Sequence, residues 1–67
     1  MVKKNILRSK LAIKEMSYTQ CAKALGISYK SFCSKANNTQ PFKVNEITQL
    51  ANLLKLTIEE TSNIFLN

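Results

Sequence analysis

The sequence predicts an all-α domain of five helices, and three observations carry that prediction. Apolar residues recur three and four apart, as in Leu7–Leu11 and Ile47–Leu50–Ala51–Leu54. Ser17 with Gln20, and Thr57 with Glu60, have the spacing at which two side chains cap a helix start reciprocally. One glycine and one proline are too few turn formers for a hairpin-rich β fold. The 67 residues, 1–67, read as a single domain. A chain of this size buries only about 60% of its unfolded surface, so its core is thin.

Taken in order, Met1 to Lys4 form a short basic arm that is expected to fray. Asn5 is expected to cap a first helix over about 5–15. Its apolar stripe is Ile6, Leu7 and Leu11, with Ile13 at the edge, and Arg8, Lys10 and Lys14 lie away from it. Met16 packs where the chain turns. Ser17 starts a second helix, about 18–25, with Cys21, Ala22 and Leu25 inward. Gly26 ends it, because a left-handed residue is easiest without a β-carbon. Ile27 is an apolar plug in the turn. Ser28 caps a third helix, about 29–36, whose one large inward residue is Phe32. Asn37 to Pro41 form a loop in which Asn37 or Asn38 takes a positive φ, and Phe42 anchors the loop to the core. A fourth helix covers about 44–54 and a fifth about 58–65.

The charge is uneven. Residues 1–43 hold Lys3, Lys4, Arg8, Lys10, Lys14, Lys23, Lys30, Lys35 and Lys43 against Glu15 alone, a balance of +8. Residues 44–67 hold Lys55 against Glu46, Glu59 and Glu60, a balance of −2. This asymmetry points to a polyanionic partner on one side of the molecule; a solvated, solubilising surface is the plainer reading of the same charges.

Catalytic and metal chemistry find little support. The chain has no histidine, and the neighbouring Glu59 and Glu60 point in different directions on a helix. No glycine-rich loop is present to cradle phosphate. Cys21 and Cys33 cannot supply four zinc ligands or a disulfide framework, and free cysteines mostly act as small hydrophobes. No enzymatic activity, metal or cofactor is expected. With no signal peptide and no apolar run near 18 residues, a reduced, cytoplasmic protein is expected, with no membrane contact.

Ala22 and Gly26 lie four apart, one before the turn and one in it. Alanine lets the second and third helices cross closely, and Phe32, six beyond Gly26, fills the angle between them. This arrangement resembles the Cro/cI-type helix-turn-helix, also called the XRE or lambda-repressor-like family. The matching segments are Leu7-Arg8, Ser17, Ala22, Leu25-Gly26-Ile27-Ser28, Phe32, Asn37, Pro41-Phe42, the frame Ile47–Leu50–Ala51–Leu54, and Thr57-Ile58-Glu59-Glu60. They span nearly the whole chain. The stretch SFCSKANNTQPF is similar to small regulators of Gram-positive phages and mobile elements.

The resemblance implies a compact five-helix lambda-repressor-like domain acting as a sequence-specific regulator of transcription, of repressor type, on double-stranded DNA. It implies that the third helix enters the major groove and presents Ser28, Tyr29, Lys30, Cys33 and Ser34 to base edges. Packing against the second helix is the other place for the Tyr29 ring, and a phosphate the other partner for Lys30. Tyr18 and Thr19 would touch the DNA backbone at the start of the second helix, and Asn37, Asn38, Thr39 and Gln40 in the following loop. Lys35 and Lys43 would add charge. Three positions depart from the family pattern: Tyr18 replaces a common glutamine, and Glu15 and Asn38 replace common glycines. A homodimer on a near-palindromic operator is expected. Ile64, Phe65 and Leu66 would either join two copies or close their own core, and Ile64 suits the second role. No small-molecule ligand is expected. Two other functions fit the same pattern: a protein-binding module, such as an antirepressor or adaptor, and an excisionase-like architectural DNA binder.

Overall fold

The computed structural model describes residues 2–65; Met1, Leu66 and Asn67 lie outside the described residues. Five helices follow one another: α1 (Lys4–Ile13), α2 (Tyr18–Leu25), α3 (Tyr29–Ala36), α4 (Val44–Leu54) and α5 (Ile58–Phe65). There is no strand among the described residues. None of their helices is long and apolar enough to cross a membrane.

Helix starts follow local side-chain chemistry. Ser17 Oγ accepts from the Gln20 N–H at 3.1 Å, and Gln20 Oε1 accepts from the Ser17 N–H at 2.8 Å. The reciprocal pair recurs at Thr57 and Glu60, at 3.1 and 2.9 Å. Ser28 Oγ accepts from the Ser31 N–H at 3.1 Å. At α4 the cap is one-sided: Glu46 Oε1 accepts from the Lys43 N–H at 2.8 Å.

The start of α1 differs from the sequence expectation. Asn5 lies inside the helix, and Lys3 stands at its N-cap with no side-chain bond. The arm is not frayed at Val2 and Lys3. The Lys3 N–H donates to the Ile64 carbonyl at 2.8 Å, and Val2 is buried. The Val2 N–H donates to Asn38 Oδ1 at 2.7 Å, and Asn38 Nδ2 donates to the Val2 carbonyl at 3.0 Å. One asparagine side chain thus replaces a strand partner for the start of the chain.

Helix ends share one device. Glu15, Gly26, Asn38 and Lys55 have φ of 54°, 71°, 66° and 54°, and each closes the helix before it. At each end the following N–H reaches back five residues: Met16 to Leu11, Ile27 to Ala22, Thr39 to Ser34 and Leu56 to Ala51, at 2.8–3.0 Å. This ends α1 at Ile13, two residues before the expected limit. A left-handed non-glycine residue costs roughly 1–2 kcal/mol, so three of these turns are held by the packing that follows them.

The core is continuous. Leu7 and Leu11 of α1, Cys21 and Ala22 of α2, Phe32 and Ala36 of α3, Leu50 and Leu54 of α4, and Ile64 and Phe65 of α5 are all buried in it. Ile13 is outside, 69% exposed. Four rings run through the molecule in edge-to-face contact: Tyr18 to Phe32 at 5.0 Å, Phe32 to Phe42 at 5.7 Å, and Phe42 to Phe65 at 5.4 Å between centroids. Phe42 is the loop anchor that its position suggested. Ile64 and Phe65 close their own core, so neither is free to join a second copy, and Leu66 lies outside the described residues.

Lys10 on α1 pairs with Glu60 on α5. The Lys10 ammonium and the capping hydrogen bond with Thr57 hold the Glu60 carboxyl at about 2, against an ordinary 4.5. A lowered folded-state value means this stabilisation is complete above the unfolded carboxylate range and is lost as pH falls toward 2. Unfolding measured between pH 6 and pH 2 is expected to show a smaller loss of stability in Glu60→Gln than in the wild type. Equal acid sensitivity would contradict the pairing. At the helix ends, a Cβ on Gly26 would meet nothing within 4 Å, so the cost of Gly26→Ala is conformational, about 1 kcal/mol. Lys55→Gly is expected to shift stability the other way by roughly 0.5–1 kcal/mol in urea unfolding.

Candidate functional site

α3 is two turns long and has one buried face. Phe32 and Ala36 are fully buried, and the turn Gly26–Ile27 lets α3 leave α2 at an angle that Phe32 fills. Its other faces carry the residues singled out from the sequence. Ser28, Tyr29 and Lys30 are exposed, and Cys33 and Ser34 are half-buried. All five therefore belong to one end and one side of a helix held from behind. The Ser28 hydroxyl oxygen is engaged as the cap of α3, which leaves its O–H to donate.

Tyr29 is 56% exposed. Its hydroxyl shares a hydrogen bond with the Cys33 thiol one turn on. That bond, then the charge of Cys33, desolvation and the charge of Tyr18, push the Tyr29 phenol above its ordinary value, so it stays neutral at physiological pH. Tyr29 and Tyr18 are thus electrostatic neighbours across the α2–α3 junction. Tyr18 itself is half-buried, with its ring edge-to-face on Phe32, while Thr19 beside it is exposed. Cys21 is buried, and desolvation pushes its thiol up.

The loop after α3 folds back on the helix. The Thr39 and Gln40 N–H groups both donate to the Ser34 carbonyl, at 2.8 and 3.3 Å. Asn37, Asn38, Thr39 and Gln40 are exposed and stand next to the last turn of α3. The Asn38 amide is engaged by the Val2 main chain, so that side chain is a brace. Lys43 is exposed just beyond.

Lys35 requires a correction. It does not add surface charge: it is buried, and its ammonium donates to both oxygens of Glu46 on α4, at 2.6 and 2.7 Å. Burial pushes the Glu46 carboxyl up, but the hydrogen bonds and charge from Lys35 and the Lys43 N–H outweigh it, and its pKa lies below the ordinary value. The pair fixes the C-terminal turn of α3 against α4. It therefore positions the exposed face of α3 without forming part of it.

The structure also brings in residues the sequence did not single out. Lys3 and Lys4 border an open depression of about 410 Å³ that reaches Asn38. The Asn38–Val2 clasp joins them to the loop after α3 across 36 positions of sequence, and no local pattern signals such a contact. The remaining basic residues, Arg8, Lys14, Lys23, Lys30, Lys43 and Lys55, are exposed, whereas Lys10 and Lys35 are paired. Among the described residues no cluster of His, Cys, Asp and Glu could hold a metal ion. Comparison of the chain with protein families, curated proteins and solved structures found no match.

Breaking a buried ion pair from one side leaves the other charge unpaired, at a cost of roughly 3–5 kcal/mol. Lys35→Ala is expected to lose that much stability in urea unfolding. The double variant Lys35→Met with Glu46→Leu is expected to recover most of it. A fully stable Lys35→Ala would place Lys35 on the surface after all.

Proposed function

We propose that this chain is a sequence-specific double-stranded DNA-binding regulator of repressor type, with a lambda-repressor-like helix-turn-helix formed by α2 and α3. α3 is the helix that enters the major groove. Tyr29, Lys30 and Ser34 meet base edges, with Ser28 and Cys33 beside them. The observation that carries this reading is α3 itself: a short helix with a polar, cation-bearing outer side, fixed from behind by Phe32 and by the Lys35–Glu46 pair.

Each group has a chemical role in that reading. The Lys30 ammonium donates to guanine O6 and N7. The Ser34 hydroxyl donates or accepts, and the Tyr29 ring meets a thymine methyl. Thr19 at the start of α2, and Asn37, Thr39, Gln40 and Lys43 after α3, hold the phosphates on either side. Tyr18 serves from behind, as packing for Phe32. Lys3 and Lys4 extend the phosphate contact beyond Asn38. Each phosphate neutralised steepens the dependence of log affinity on log salt by about 0.9. A single α3 reads only a few base pairs, so two copies act together on a near-palindromic site whose halves lie about one helical turn apart.

Selection of bound duplexes from a random pool tests the reading. The wild type is expected to enrich one motif with twofold symmetry. Lys30→Ala and Ser34→Ala are expected to change the preferred bases, each by about 1–3 kcal/mol of discrimination at its position. Lys43→Ala is expected to weaken all sequences alike and to lower the salt slope by about 1. A pool that yields no motif, or a motif indifferent to both α3 substitutions, would overturn the proposal.

A further inference from the structure

α4 has two apolar faces. Leu50 and Leu54 form the first and are buried in the core. The second begins at Val44, 82% exposed, and continues through Ile47 and Ala51 at intervals of three and four. α5 adds Ile58, which at 90% is the most exposed large hydrophobic side chain among the described residues. Between the helices lies an open groove of about 390 Å³, bordered by Ile47, Ala51, Asn52, Leu56, Ile58 and Thr61, and no charged residue lines it.

Charge decides what such a face can meet. The chain carries a net +6, so two copies repel each other wherever their basic surfaces approach. A nucleic acid or an acidic protein finds no cation here to hold. A second copy, by contrast, meets this face without like-charge contact. The shape is also of the self-complementary kind: a projecting isoleucine stands beside an apolar groove. A twofold axis sets the Ile58 of each copy into the groove of the other.

We infer that the α4–α5 face joins two copies of this chain, with Ile58 as the central contact. The inference rests on the proposed DNA-binding function only for its purpose, which is to set two α3 helices at a fixed separation. It moves the contact away from Ile64 and Phe65, both of which are buried in their own core.

Sedimentation of the full chain without DNA tests this. The wild type is expected to show a concentration-dependent monomer–dimer equilibrium. Ile58→Asp is expected to raise the dimer dissociation constant roughly 100-fold or more, because twofold symmetry places the change in the contact twice. Aspartate in the first turn of a helix is favourable, so circular dichroism and the melting temperature should be unchanged. Ile13→Asp, at an exposed apolar residue of α1, should leave the equilibrium as it is. A wild type that stays monomeric at every concentration, or an Ile58→Asp variant that dimerises as the wild type does, would overturn the inference. Neither result depends on DNA, so a failed duplex selection would count against the proposed function and leave this contact to be decided separately.

Discussion

Phe32 is the residue on which the rest of this structure depends. It has no solvent exposure, and its ring meets Tyr18 on one side and Phe42 on the other. Phe42 in turn meets Phe65. One line of rings therefore ties α2, α3, the loop after α3 and α5. Each edge-to-face pair adds about 0.5–1.5 kcal/mol beyond the area it buries. In a domain whose whole stability is of the order of 5–15 kcal/mol, that chain is a large share. It also sets geometry, because α3 is too short to be oriented by its own length.

The polar pairs complete what the rings begin. Lys35 and Glu46 hold the end of α3 to α4, and Lys10 and Glu60 hold α1 to α5. Asn38 holds the first described residue to the loop. Each pair joins segments that the hydrophobic core leaves free to slide. The consequence for function is a division among the cations. Two are spent inside the fold, and those left on the surface include Lys30 on the outer side of α3, Lys43 after it, and Lys3 and Lys4 next to the Asn38 clasp.

Much of the helical layout is legible in the sequence, because helix caps are local. Ser17, Ser28 and Thr57 act within three residues of themselves, and α2 through α5 have the expected limits. The end of α1 is not legible, because its left-handed residue is Glu15, where a glycine would have marked it. The burial of Lys35 is hidden for a different reason. Its partner Glu46 lies eleven positions away on another helix, and a lysine read in isolation looks like surface charge. The Val2–Asn38 clasp spans 36 positions and leaves no periodic trace. For the candidate site, the exposure of Tyr29 and Lys30 follows from the position of Phe32, whereas the turning inward of Tyr18 depends on tertiary packing.

The central claim is that the outer side of α3 and the adjoining loop form a surface for duplex DNA. Amide chemical shifts of the labelled chain, followed during titration with a selected duplex, test it most directly. The account predicts that the largest changes fall on Ser28 to Ser34, on Thr19 and on Asn37 to Gln40, and that they weaken as salt is raised. Changes centred on the outer side of α4 and α5, with α3 undisturbed, would contradict it.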